Sequence, residues 1–421
     1  MKYFYKPIVL LLFIAYALPS FSQDKENKLK FNFYGFIRAD YYYDTRQSVA
    51  SNEGLLFLYP KDESLDYFEE DLNAVPNGSL YSFITRPGLE ITGLNVFDAD
   101  LKGVIEADFA GFSGSNTLLR IRLAYLKFNW EKSSLLVGQD WHPLFDPVRP
   151  QQLSISTGAP FQPFNRSPQL KFNYKVDKVT FTGATVWQLQ HNSTGPDGKS
   201  GVYLKNAIVP ELAFMVDYKN QHVQFGAGID YLTLKPRTQS TVMPEGSQYS
   251  QKVKVDEKIG SLSYLAYLKY TYGLFSASVK SGIMENPVHL NMLGGYGIKS
   301  SDAATGVQEY TPFRHSSTWL NFSYGKKYLG NLFLGYNKNL GSKDALLENS
   351  AMYGEGLTIQ ELYRACLSFS YNIPHFRLGM EYEYSLAKYG DTGTMSWEDG
   401  LYDSTHGVTG HRLIATISYI F

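Results

Sequence analysis

A single cysteine, Cys366, stands in this 421-residue chain. No intramolecular disulfide can form, which excludes a small stapled secreted domain. Past the N-terminal leader there is no apolar run near the roughly 20 residues that a membrane-crossing helix needs. A surplus of one charge is missing as well. The 39 Lys and Arg against 40 Asp and Glu leave a formal net charge of −1. That gives no support for nucleic-acid binding or a polybasic membrane contact, so the electrostatics must be local. Catalytic signatures are also lacking. There is no Gly-x-Ser-x-Gly elbow, no His-Glu-x-x-His and no cysteine pair for zinc. The eight His residues are scattered and read as ordinary polar positions. Residues 294–300 lack the spacing and the strand–helix context of a phosphate loop, and read as a surface loop. No enzyme activity, cofactor or metal centre is expected.

What is present begins with a secretory leader. Lys2 and Lys6 supply its charge, residues 8–18 its apolar run, and Ser20-Phe21-Ser22 a small-x-small cleavage site. Residues 1–22 are read as a signal peptide and 23–421 as one domain. The chain is 15% aromatic, with 33 Tyr and 27 Phe. Tyr in such excess suits interfacial girdles, where the ring meets lipid and the hydroxyl meets water. The mean hydropathy of −0.25 fits a membrane barrel, because only alternate residues of such a barrel face lipid.

Alternation runs along the whole chain. In residues 28–44, Phe31, Phe33, Ile37, Ala39, Tyr41 and Tyr43 share one face. Asn32, Tyr34, Arg38, Asp40 and Asp44 share the other. The last stretch, residues 411–421, alternates in the same way and stops on an aromatic. Phe421 with Tyr419 two before it resembles the C-terminal signature of bacterial outer-membrane β-barrels, which implies a barrel-assembly signal. A barrel has a reason to end on a strand, since its last strand must pair with its first to abolish the edge. Short turns alternate with long polar loops, as in outer-membrane barrels. The reading is all-β: a transmembrane antiparallel β-barrel of about 16 strands, with an inward-folded constriction loop after strand 5. In the fourth strand, residues 118–130, Leu119, Ile121, Leu123 and Tyr125 are expected to face lipid. Residues 45–78 read as a long polar stretch, and 79–92 as the second strand.

The informative feature is inward charge. Alternation turns Arg38, Arg86, Arg120 and Arg122 inward from early strands, and Arg364, Arg377 and Arg412 from the last three. Closure joins them into one expected pore-lining wall, which also carries Asp40, Glu90, Glu106, Asp108, Glu381 and Glu383. Arg presents a charged planar fork suited to carboxylate or phosphate. Such a wall is either a selectivity ladder or a salt-bridged stiffener. The segment 142–166 holds Pro143, Pro147, Pro150, Pro160 and Pro163, so it is no strand. It is the candidate constriction loop, offering Asp140, Asp146, Arg149 and Arg166, with Gln151 and Gln152.

Four stretches then carry a resemblance. They are Gly35-Phe36-Ile37-Arg38-Ala39-Asp40, Thr85-Arg86-Pro87-Gly88-Leu89, Leu119-Arg120-Ile121-Arg122-Leu123-Ala124-Tyr125 and Val137-Gly138-Gln139-Asp140-Trp141. With these the chain resembles the outer-membrane general porins, and within them is most similar to the DcaP-type porins. The N-terminal third carries the likeness closely, the remainder by pattern and by the terminal Phe421. The resemblance implies a homotrimer of 16-stranded barrels in the bacterial outer membrane, inserted by the barrel-assembly machinery. It implies passive diffusion of small hydrophilic solutes, with small anions such as carboxylates favoured. DcaP-type proteins carry an N-terminal coiled-coil stretch, and only residues 23–30 stand in that place here, so no particular substrate is carried over. Three further readings stay open: a phosphate-selective porin, a barrel-scaffolded surface adhesin or lipoprotein partner, and an outer-membrane hydrolase.

Overall fold

The computed structural model describes residues 28–111 and 118–421. The leader, residues 1–22, lies outside the described residues. From Lys30 onward the chain forms one closed antiparallel barrel of 16 strands. In order these are β1 (Lys30–Asp44), β2 (Asn77–Tyr81 and Arg86–Val96), β3 (Ala99–Asp108), β4 (Arg120–Asn129), β5 (Ser133–Trp141), β6 (Arg166–Val176), β7 (Val179–Val186) and β8 (Glu211–Lys219). Then come β9 (Val223–Leu234), β10 (Ile259–Tyr272), β11 (Phe275–Glu285), β12 (Gln308–Gly325), β13 (Tyr328–Ser342), β14 (Ile359–Ile373), β15 (Phe376–Gly390) and β16 (Thr405–Ile420).

Alternation sets the faces. Phe31, Phe33, Ile37, Tyr41 and Tyr43 stand exposed on the outside of β1, while Asp40 and Asp44 are buried inside. An apolar outer belt over a polar interior is stable only with lipid outside. β1 closes on β16 from Phe36↔Ile420 to Asp44↔Arg412. Gly35 and Phe421 complete the seam by exchanging backbone hydrogen bonds of 3.0 and 3.1 Å. A Cβ on Gly35 would fall 2.0 Å from the Arg86 carbonyl oxygen. Glycine is therefore required where β1 is pressed between its two neighbours.

Four sequence readings need correction. Residues 294–300, read as a surface loop, lie in a strand, Gly294–Ser301, whose first five residues are buried. The second strand is broken, with 82–85 outside any strand. In β4 the pairing with β3 steps from Glu106↔Leu123 to Ala107↔Ile121, leaving Arg122 as an extra residue. Such a bulge shifts the side-chain phase by one. Arg120 and Arg122 both end up inside and buried. Leu123, opposite the inward Glu106, and Tyr125, which lines an inner cavity, leave the lipid face they were expected to occupy. The fourth correction concerns residues 45–78. Their hairpin, Ser48–Ser51 with Leu56–Pro60, enters the lumen, and every residue of Leu56–Pro60 is buried.

The lumen thus holds two infolded loops. Residues 142–165 lie against the tall wall of β11 to β15. Their Phe161 and Phe164 join Trp319, Phe333, Leu362 and Cys366 of that wall, and Leu56 and Leu58 of the first loop, in one apolar core. Gly335 of β13 makes the room: a Cβ there would lie 2.7 Å from the Phe161 ring. A loop inside a barrel must still pair its backbone polar groups, and wall side chains do this. Lys280 Nζ donates to the carbonyls of Leu144 and Phe145 at 2.9 and 3.0 Å. Glu381 accepts from the N–H of Leu153 and Ser154 at 2.8 and 3.2 Å. Asn321 Oδ1 accepts from Gln151 N at 2.9 Å.

Candidate functional site

Between the loop 142–165 and the opposite wall, β1 to β4, a cavity of about 250 Å³ remains. Its lining includes Arg38, Arg86, Arg120, Arg122, Arg149 and Arg166, with Asp108 the one carboxylate. The strands position these groups. Arg38 comes from β1, Arg86 from the start of the lower piece of β2, Arg120 and Arg122 from the bulged end of β4. Arg149 lies on the loop itself. Arg166 is the first residue of β6, so the loop proper ends one residue earlier.

Most of these cations are paired. Arg38 grips Asp40 at 2.6 Å. Arg120 and Arg122 share Asp108 at 2.9 Å each. Arg122 also meets Glu106 at 2.8 Å, and Arg86 reaches the same carboxylate at 3.5 Å. Arg149 and Asp146 stand 4.0 Å apart and half exposed. Arg166 differs. It is 1% exposed, its Nε donates to Gln190 Oε1 at 2.8 Å, and its Nη1 has no hydrogen-bond partner. No carboxylate within ion-pairing distance faces it among the described residues. Its guanidinium carbon lies over Trp141, 4.6 Å from the ring centre. A buried guanidinium left with one neutral hydrogen-bond partner carries a desolvation cost that no ion pair offsets.

The expected wall of seven arginines therefore divides. Arg38, Arg86, Arg120 and Arg122 meet at the cavity. Arg412 grips the first infolded loop instead, and Arg364 grips both. Arg364 Nη1 donates to Ala159 O at 2.8 Å and its Nη2 to Leu58 O. Arg412 Nη2 donates to Gly54 O at 2.8 Å, and its Nη1 pairs with Asp44 at 3.4 Å. Arg377 lies toward the turn end of β15, donating to Asn372 Oδ1 at 2.8 Å. It lines a separate cavity of about 540 Å³ that reaches the short turns. The two cavities share Pro150, Gln152 and Leu153 of the loop, so this short piece of chain divides them.

The acids divide as well. Asp40, Glu106 and Asp108 hold the arginines. Glu90 pairs with Lys102. Asp140 sits on β5, not in the loop, and pairs with Lys171 at 2.7 Å. With Asp146 it lines a third space of about 270 Å³ on the far side of the loop. Glu381 and Glu383 serve the loop and Arg364, the latter at 3.3 Å. Tyr419 and Phe421 are outward and exposed. Sequence reading missed Asn52 and Leu56 of the first loop, which line the arginine cavity. The run Leu55-Leu56-Phe57-Leu58 inside an otherwise polar stretch was the available signal.

Neither protein-family models nor curated proteins match the chain. Solved structures do. The outer membrane channel DcaP of Acinetobacter baumannii superposes with a TM-score of 0.66 at 16% identity, over 95% of this chain and 99% of that one. The fold is that of the outer-membrane porins. An anion-selective porin from Comamonas acidovorans shares the porin fold at a TM-score of 0.54 and 10% identity, over 94% of this chain and 100% of that one. So does outer-membrane expressed OmpT of Vibrio cholerae, at 0.55 and 13% identity, over 94% and 99%. The porin fold and its apolar belt correspond to a bacterial outer-membrane location.

Proposed function

We propose that this chain is a porin that passes small hydrophilic solutes by diffusion and favours small anions, carboxylates among them. The observation that carries the reading is the arginine cavity beside the infolded loop, above all the buried Arg166 with no carboxylate on it. An anion entering there exchanges hydration for charge-assisted hydrogen bonds, roughly twice as strong as neutral ones. A carboxylate or a phosphate oxygen pair matches the guanidinium fork. The Comamonas porin with this fold is named anion-selective, which agrees with the direction. The remaining elements of the reading are export by the leader 1–22, insertion through the signal at Tyr419 and Phe421, and assembly as a homotrimer.

The test is single-channel conductance with reversal potentials in a salt gradient. Wild type is compared with Arg38→Ala/Arg122→Ala and with Arg166→Gln. Open channels with anion preference are expected. Loss of the Arg166 charge should lower the anion-to-cation permeability ratio by a factor of about 3 to 10, the effect of ~1 kcal/mol of screened charge. Selectivity indifferent to both variants reduces the arginines to wall bracing. A second reading is favoured by the apolar core that two loops build inside the lumen. It makes the barrel a scaffold whose outer loops bind a surface partner. A purified protein that never conducts would establish that reading over the porin.

A further inference from the structure

The neck of the loop 142–165 encloses a second cluster, away from the arginine cavity. His142, the residue after β5, projects against Glu211 of β8 and Asp230 of β9. Glu211 and Asp230 are diagonal neighbours on one inward face, since Asp230 pairs with Ala213. His142 and Glu211 are fully buried, and Asp230 is 2% exposed. One nitrogen of His142 and one oxygen from each acid lie within 4.8 Å of one another. His142 Nε2 is 3.0 Å from Glu211 Oε1 and 3.8 Å from Asp230 Oδ1. Two ligands bonded at about 2.0–2.1 Å to a tetrahedral ion sit about 3.3 Å apart, between these two spacings.

The Asp230 oxygen that faces His142 has no partner, and neither has the second oxygen of Glu211. These atoms, Asp230 Oδ1 and Glu211 Oε2, are buried without a hydrogen bond. His289, from the segment after β11, holds Glu211 Oε1 at 2.7 Å from the other side. That is the arrangement by which an outer residue orients a ligating carboxylate.

We propose that His142, Glu211 and Asp230 bind one divalent transition-metal cation, with His289 orienting Glu211, and that the ion fastens the loop neck to the barrel wall. One imidazole and two carboxylates form a nitrogen–oxygen donor set that suits zinc, with a fourth position for water. The neck is already drawn together at this point. His142 N donates to Asn165 O at 3.0 Å, and Phe164 N to Leu290 O, beside His289, at 2.8 Å. Leu144 N approaches His142 Nδ1 at 3.3 Å. Loading the ion moves the imidazole proton from Nε2 to Nδ1; it gives up the Leu144 contact and the hydrogen bond to Glu211 Oε1, in whose place the ion binds both groups. The site is closed to solvent, so the ion enters while the barrel folds.

The experiment refolds the full barrel with and without zinc chloride, desalts it and counts zinc per chain by atomic emission. Barrel formation is checked by heat-modifiable gel migration. About one zinc per chain is expected in wild type, at least tenfold weaker binding in Glu211→Gln and Asp230→Asn, and unchanged zinc in His406→Ala. The last is the control, because His406 with Asp62 and Asp391, each 2.7 Å away, forms a half-exposed cluster able to take zinc from solution. No zinc in wild type, zinc retained in both acid variants, or zinc lost in His406→Ala overturns the proposal. If the acid variants fail to form the barrel, zinc-edge X-ray absorption on the wild type decides. An imidazole shell without sulfur that persists in His406→Ala supports the site. A sulfur ligand, which places the ion at Cys366, overturns it. None of these outcomes bears on conductance or anion selectivity.

Discussion

Arg364 is the side chain through which both infolded loops are tied to the wall, and its replacement by Met tests that role. Its guanidinium donates to Ala159 O of the second loop and Leu58 O of the first, lies over the rings of Phe57 and Phe161, and neutralises Glu383. Both members of the ion pair are 1% exposed as side chains. Removing one partner of a buried pair costs about 3–5 kcal/mol, because the other charge stays buried alone. The loops have an escape that a soluble core lacks. They can swing out of the lumen and hydrate the two orphaned carbonyls and Glu383. The cost therefore becomes a shift in the loop equilibrium of roughly two to three and a half powers of ten. Arg364→Met should form a normal barrel with a larger or rapidly flickering single-channel conductance and with new protease cleavage in residues 45–76 and 142–165. Adding Glu383→Gln removes the lone charge and should restore part of the closed population, leaving the carbonyl share lost. Wild-type conductance, noise and protease resistance in a folded Arg364→Met barrel would refute the clamp.

Further predictions follow from the loop contacts. Gly335→Ala pushes a methyl onto the Phe161 ring; the overpacking should cost about 1–3 kcal/mol and alter conductance without changing the barrel's circular dichroism. Trp319→Ala empties a fully buried place in the lumen core and removes the 2.9 Å bond from its Nε1 to Gln162 Oε1; a loss of about 3–5 kcal/mol is expected in denaturant titration. His191, in the loop after β7, has its pKa pushed down from 6.5 to about 3 by burial, helped by the nearby Arg166 charge. The unfolded chain takes up this proton below its ordinary value and the folded chain does not. Stability should therefore fall as pH drops from about 6.5 toward 3, by about 2 kcal/mol at pH 5. His191→Gln should flatten that slope, and an unchanged slope in the variant counts against the assignment.

The barrel was legible because its cause is local and repetitive. Period-two alternation and short turns between long loops both follow from strands with lipid on one side and water on the other. That logic gave the strand number and the inward Arg38, Arg86, Arg120 and Arg122. It missed wherever one residue broke the period. The extra residue at Arg122 turned Leu123 and Tyr125 around, and nothing in the composition of β4 marks a bulge. Closure set the last strand beside the first, where Arg412 pairs with Asp44, but adjacency in the wall did not say what each arginine meets. That depended on which loops fold inward, and therefore on contacts between residues 300 positions apart, such as Arg364 with Leu58. Residues 142–165 announced themselves by their prolines. The first loop hid a short apolar run among acids. The neck cluster was invisible in sequence, since His142, Glu211, Asp230 and His289 meet only when β5, β8, β9 and the segment after β11 are brought to one depth. The sequence by itself determined the barrel, because its alternation is written residue by residue. The tertiary structure alone decided what fills the barrel, because loop docking joins distant side chains that no local pattern links.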